Sequence, residues 1–192
     1  VIDRLLDDPR WADNWVGYWQ DVLAENPNVL KPKLNNTGPL REWIHESFLD
    51  NKPMDRLVTE LILMGGSKFG GGPAGFGMAT QNDVPMAAKA YVIGSAFLGT
   101  NLQCARCHDA PYHPFMQADL FGMAAMLDRK AMKVPPTSII APTTAGARKS
   151  LVEVTLKPGS SVPPTWGFAT LSNPSALTPF LGNEKDSRER LA

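Results

Sequence analysis

The stretch "NLQCARCHDAPYHPF", residues 101–115, concentrates the side chains of this chain that are best suited to bind a metal or cofactor. It holds both cysteines of the 192-residue chain and two of its three histidines. Cys104, Cys107 and His108 form a Cys-x-x-Cys-His motif, which is the spacing of c-type haem attachment. Thiols three positions apart on one helical turn can reach both vinyl groups of a haem and form thioethers, and the next imidazole can bind the iron. The motif predicts one covalent haem c, with His108 as the proximal iron ligand.

Other interpretations of these residues stay open. A tetrahedral zinc site could use Cys104, Cys107, His108 and His113, although zinc ligands usually come from two separated knuckles, whereas two of these are adjacent. A dithiol redox centre should follow a strand in a βαβ unit, but a long predicted helix precedes this motif. The last alternative is a structural disulfide or a chance match.

Helical periodicity predicts the elements that must hold the motif. Trp11, Trp15 and Trp19 recur every four residues, and such an aromatic stripe is typical of a core. Start signals and apolar faces predict four more helices, over residues 39–49, 53–63, 84–102 and 117–128. The glycine-rich stretch between the third and fourth of these is interpreted as a flexible loop that could lie over a cofactor.

The character of the sequence changes after Arg129. The stretch 150–157, "SLVEVTLK", alternates like a strand, and 159–168 is predicted to pair with it. The predicted fold class is therefore mainly α, with about five helices around a c-type haem and a short β-containing extension. The predicted domains are a helical haem domain over 1–130, a loop and β extension over 131–182, and the start of a junction to a following domain over 183–192.

Composition narrows the function classes. Hydrophobic residues make up 43% and charged residues 20%, which is globular, and 19 basic residues balance 19 acidic ones. Nucleic-acid binding usually requires a basic excess, so that class is disfavoured. No apolar run reaches the roughly 20 residues of a membrane span. Since the chain opens without Met and closes on "DSRERLA", we interpret it as a segment of a longer protein.

The sequence also resembles a known family, the planctomycete-type cytochrome c domains of unknown function. The resemblance is carried by "FLGTNLQCARCHDAPYHPFMQADLFGMAAML" around the motif, by "IDRLLDDPRW" with Trp15, Trp19 and Asp21, by Trp43, Ile44 and Phe48, by "NKPMDRLV", and by the closing "GNEKDSRERLA". It covers most of residues 1–130 and the last ten, and it is weak through the glycine-rich stretch and through 130–175.

The resemblance implies a haem, export and a second domain that follows in the same chain, because members are N-terminal domains of large exported proteins. It implies no reaction. The functional positions that it carries over are Cys104, Cys107 and His108. Some members have a further histidine two residues after the motif histidine, where this chain has Ala110.

The ligand on the far side of the iron would separate electron transfer from catalysis. His113 is disfavoured because five residues extend at most about 17 Å, which we judge too short to go round a porphyrin edge. Met132 lies in a predicted loop, 24 positions beyond His108, and is the first choice for the distal ligand. Met78 is the second choice, and an open iron is a further alternative. Met123 and Met126 are predicted to pack.

The favoured function is a mono-haem electron-transfer module of a larger exported protein, which makes the chain a redox carrier more than a catalyst. One alternative is a haem enzyme that oxidises a carbohydrate or handles peroxide, with polar distal residues drawn from His45, His113 and Arg106. Another is a structural docking domain in which the haem mainly holds the helices together. Covalent haem maturation takes place outside the cytoplasm, so all three predict the periplasm or cell surface. The expected partners are the following domain and an unidentified redox protein.

Overall fold

The computed structural model describes residues 1–24, 38–67, 71–79, 84–140, 152–168, 183 and 185–192. These residues are mainly helical, as the sequence predicts. The helices are α1 (Ile2–Leu6), α2 (Arg10–Leu23), α3 (Gly38–Leu49), α4 (Met54–Leu63), α5 (Phe76–Ala79), α6 (Pro85–Phe97) and α7 (Gln117–Asp128), with 3-10 helices at Pro73–Gly75 and Cys104–Arg106. Two short strands, β1 (Met132–Lys133) and β2 (Ser161–Val162), pair antiparallel.

The helices predicted from periodicity are confirmed as α2, α3, α4, α6 and α7. The prediction for α6 runs too far, to residue 102, because the helix ends at Phe97. Gly99 then takes a left-handed backbone conformation with φ +61°, and Thr100 N–H donates to the carbonyl of Gly94 at 3.0 Å. This reversal ends the helix before the motif begins. An arrangement of the helices around a haem remains a prediction.

The described residues form two compact units, the first within 1–85 together with Ala192 and the second within 86–191. In the first unit α2 packs against α3 through Ala12, Val16 and Leu23, which are almost fully buried. The prediction of a tryptophan core on α2 is wrong for Trp15, which is 47% exposed. The small and aliphatic side chains lie on the face turned to α3, and the aromatic stripe lies on its margin.

The glycine-rich stretch packs against α3 where it is described. Its 3-10 helix Pro73–Gly75 contacts α3 and α4, and Ala74, Gly75 and Phe76 are buried. A Cβ at Gly75 would lie 2.6 Å from the backbone nitrogen of Leu40, so no other residue fits there without a backbone shift. The interpretation as a flexible loop is therefore wrong for residues 73–79, which are ordered by close packing of backbone on backbone.

Helix α7 is the core of the second unit. It contacts the 3-10 helix Cys104–Arg106 and both strands, and its interior residues from Leu120 to Leu127 are buried. Gly122 lies against the segment that follows β2, since a Cβ there would meet the carbonyl oxygen of Thr165 at 2.7 Å. The missing side chain of Gly122 thus allows this segment to pack closely against α7.

The predicted strand at 150–157 is wrong over its described residues, 152–157, which form no strand. Its predicted partner does contain β2, but β2 pairs with β1, with Met132 opposite Val162. The reason lies in the backbone hydrogen bonds of 153–156, which go to a loop and a side chain: Asp109 N–H donates to Glu153 O, and Leu156 N–H donates to Gln117 Oε1.

None of the helices in the described ranges combines the length and apolar character required to cross a bilayer.

Candidate functional site

The Cys-x-x-Cys-His motif is folded into a single tight turn. Cys104–Arg106 is a 3-10 helix, and the N–H groups of Cys107 and His108 donate to the carbonyl of Cys104 at 3.1 and 3.2 Å. In a 3-10 turn the side chains at positions i and i+3 lie on the same side. Cys104 and Cys107 therefore occupy one side of this turn, close together along the chain.

The other side of the turn anchors it in the protein. Leu102 and Ala105 are completely buried, and the turn packs on α7. Leu102 also lies close to α6, because a Cβ at Gly94 would approach its side chain to 3.0 Å. Burial of the apolar residues around the motif leaves Cys104 exposed and Cys107 half-buried, and both thiols are free. The two cysteines are therefore not joined in a structural disulfide.

The hydrogen bond of His108 determines which of its ring nitrogens can bind a metal. Nδ1 of this half-buried residue lies 2.7 Å from the carbonyl oxygen of Asp109. A carbonyl oxygen only accepts, so Nδ1 carries the proton and donates. In the neutral imidazole Nε2 then has a free lone pair, which is the form of histidine that binds metal ions.

Residues beyond the motif fix the carbonyl that orients His108. Asp109 bonds through its backbone and its carboxylate to Glu153, Thr155 and the first residue of α7. Asp109 was not among the residues predicted from the sequence. No local signal marks it, since the N-cap of α7 is Met116 and Asp109 lies eight positions before the first helical residue.

Comparison with known families decides the family of this chain. Residues 1–131, more than half of the sequence, match the family PSCyt2, described as "Protein of unknown function (DUF1549)". The chain belongs to this family. The resemblance found in the sequence is thereby confirmed, although the family description names no activity. No match was found among curated proteins or among solved structures.

The PSCyt2 match includes the motif and the seven α-helices of the described residues but ends before β1. The segment 152–168, which carries β2 and two of the partners of Asp109, Glu153 and Thr155, thus lies outside it. In this member of PSCyt2, part of the surroundings of His108 therefore comes from chain that the family match does not include.

The other residues considered as ligands fall in different places. His113 is exposed in the loop after the motif, and no group of three or more His, Cys, Asp or Glu side chains suited to a metal occurs in the described ranges. The zinc set of Cys104, Cys107, His108 and His113 therefore does not converge. A haem iron needs a single protein ligand on the proximal side, which His108 alone can supply.

The two candidate distal methionines lie in different units. Met132 is half-buried in β1, opposite Val162, and β1 contacts the same helix α7 as the motif turn. It is therefore held in a strand, where a free loop was expected. Met78 belongs to α5 in the first unit, and its side chain lies outside the described part. Distal ligation by either methionine stays a prediction, whereas packing of Met123 and Met126 in the core is confirmed.

His45 has a structural partner in the first unit. Its Nε2 lies 2.9 Å from Oδ1 of Asp13, and this contact joins α3 to α2. The contact agrees with the interpretation of His45 as a packing or surface residue.

Proposed function

We propose that this chain is a c-type haem-binding electron-transfer module of a larger exported protein. Cys104 and Cys107 would hold the haem through thioethers, and His108 would bind its iron through Nε2. The observation that carries the proposal is the hydrogen bond from His108 Nδ1 to the carbonyl of Asp109, which leaves Nε2 free in the residue that follows the two free cysteines of the motif.

The donor set fits haem c in each of its requirements. Thioether formation needs two free thiols on one side of a turn, and the 3-10 geometry provides this arrangement for Cys104 and Cys107. Axial ligation needs an imidazole whose second nitrogen is fixed by a hydrogen bond, as in His108. When bound, the haem would supply a one-electron couple.

A redox carrier is favoured over a haem enzyme because two of the three polar residues considered for a distal site are otherwise engaged or exposed. His45 pairs with Asp13, and His113 lies in an exposed loop. The described part of the glycine-rich stretch, which could have covered a distal pocket, is packed on α3 and α4. The protein's own contribution is then to hold the imidazole in one orientation and to pack one side of the motif turn against α7.

The proposal includes export to the periplasm or cell surface, because covalent haem attachment takes place outside the cytoplasm. A redox partner and a following domain of the same chain belong to the proposal as well.

The decisive experiment is optical spectroscopy of the 192-residue chain produced in a host that matures c-type cytochromes. We expect a Soret band and a sharp reduced α-band that remain with the polypeptide after acid-acetone extraction. His108→Ala should keep the covalent haem but shift its Soret and α-bands because the proximal iron ligand is lost, whereas the matched control His113→Ala should leave both the attachment and the bands unchanged. A chain without a Soret band would refute the proposal. Rapid cyanide binding with peroxide turnover would instead favour a haem enzyme.

A further inference from the structure

We propose that Asp109 is the positioning residue for the His108 imidazole, and that the segment 153–156 holds Asp109 in place. The inference deepens the proposed function, on which its meaning for a haem rests. Its geometry involves only residues of this chain, and one of its tests needs no haem.

The first observation is that the backbone of Asp109 is bonded on both sides. Its carbonyl accepts from His108 Nδ1 at 2.7 Å, and its N–H donates to the carbonyl of Glu153 at 2.8 Å. Any movement of this residue therefore shifts the acceptor on which the orientation of the His108 ring depends.

The second observation is that the carboxylate of Asp109 accepts hydrogen bonds from two separate parts of the chain. Its Oδ1 accepts from the N–H of Gln117, the first residue of α7, at 2.8 Å, and from the Thr155 hydroxyl at 3.0 Å. An acceptor at this position satisfies a free N–H of the first helical turn, and a negative charge there is favourable. One side chain thus joins the motif, the core helix and the extension.

A second link holds the extension segment against α7. Gln117 is completely buried, and its Oε1 accepts from the N–H of Leu156 at 3.0 Å. Because Leu156 directly follows Thr155, this bond fixes the hydroxyl that reaches Asp109. The segment is thereby attached at Glu153, Thr155 and Leu156.

These contacts give the extension a role that its irregular backbone does not suggest. When the ring nitrogen that does not bind the metal donates a hydrogen bond, this bond fixes the tautomer of the histidine and raises its basicity as a ligand. A stronger donor ligand favours the oxidised iron and lowers the reduction potential. Loosening Asp109 should therefore free the His108 ring and raise the potential of the bound haem.

Two substitutions at Asp109 separate positioning from charge. Asp109→Ala removes the carboxylate and both of its hydrogen bonds. Asp109→Asn removes the charge but keeps an Oδ1 acceptor for Gln117 N–H and the Thr155 hydroxyl. Thr155→Val removes one of these bonds at nearly constant volume and serves as a milder variant if Asp109→Ala does not fold.

The first readout is the 15N spectrum of the histidine ring in the full chain produced without haem, with His108 assigned through its alanine variant. We expect a single Nδ1–H tautomer in the unmodified chain and in Asp109→Asn, and a mixture of tautomers in Asp109→Ala. Thr155→Val should give a smaller admixture. The inference is overturned if Asp109→Ala keeps a single tautomer, or if Asn and Ala behave alike.

The second readout is the reduction potential of the haem-loaded chain. Both Asp109 variants lose the charge, so a rise common to both reports electrostatics, and a further rise in Ala alone reports positioning. Equal potentials in the two variants would contradict the inference. If a maturing host yields no haem protein, the proposed function fails, and the tautomer experiment still decides whether Asp109 orients His108.

Discussion

Arg129 and Asp186 form an ion pair that ties the end of α7 to the last described turns of the chain. Nε of Arg129 lies 2.7 Å from Oδ2 of Asp186, across 57 positions of sequence. Next to it the Ser187 hydroxyl donates to the carbonyl of Met126 at 2.8 Å. The hydrogen bond from Arg129 holds the pKa of the Asp186 carboxyl below its ordinary value.

This pair predicts a contribution to stability that depends on pH. Because the pKa of Asp186 is lowered in the folded state, its contribution is complete above the ordinary carboxyl pKa of about 4 and is lost as the pH falls through the lowered value. We expect Asp186→Asn to reduce the free energy of unfolding by up to about 1 kcal/mol near neutral pH and by much less in acid. Denaturant titration at several pH values measures this difference.

Asp8→Asn is the matched control for this experiment. Asp8 also pairs with an arginine, Arg10, and the hydrogen bond from that side chain lowers the pKa of Asp8 to about 2. The two residues are only two positions apart, so the pair can form in the unfolded chain as well. We expect little change in unfolding free energy from Asp8→Asn, and an equal loss in both variants would contradict the role assigned to Asp186.

Two glycine substitutions test the packing of the first unit. A Cβ at Gly75 would lie 2.6 Å from Leu40 N and 2.9 Å from Pro39 C, both backbone atoms, so Gly75→Ala should destabilise by about 1–3 kcal/mol. Gly17 lies within α2 with no neighbouring atom within 4 Å of a Cβ, so Gly17→Ala should stabilise by up to about 1 kcal/mol. Thermal unfolding of both variants measures the difference. A tolerated Gly75→Ala would refute the close approach.

The cysteines can be tested one at a time. Cys104→Ala and Cys107→Ala each leave a single thiol, so we expect one thioether, one unreacted vinyl group and a pyridine haemochrome α-band at longer wavelength than in the unmodified chain. The double variant should release its haem in acid-acetone. Covalent haem in the double variant would show that attachment does not depend on these two residues.

The distal ligand can be assigned by comparing Met132→Leu with Met78→Leu. Leucine keeps the apolar volume, which limits the loss of packing at Met132 opposite Val162. If Met132 binds the iron, Met132→Leu should abolish the sulfur-to-iron charge-transfer band of the oxidised protein, while Met78→Leu leaves it unchanged. The reverse result would assign Met78, and a spectrum insensitive to both substitutions would exclude methionine ligation by either.

The helices could be predicted from the sequence because apolar periodicity is a local property that survives in the fold. The same reasoning was wrong at Trp15, since periodicity identifies a stripe but not the neighbour that covers it. It was wrong again at 152–157, where an alternating pattern suggested a strand. The backbone groups of this segment bond to Asp109 and Gln117, and neither partner can be inferred from alternation.

The sequence by itself determined the chemistry that Cys104, Cys107 and His108 can offer, because this motif spans a single turn whose geometry depends on neighbouring residues. The family of the chain also followed from the sequence alone. Only the tertiary structure decided how His108 is oriented. Its acceptor belongs to Asp109, and Asp109 is bonded to Thr155 across 46 positions. Contacts between residues so far apart arise from chain packing, which leaves no periodic pattern in the sequence.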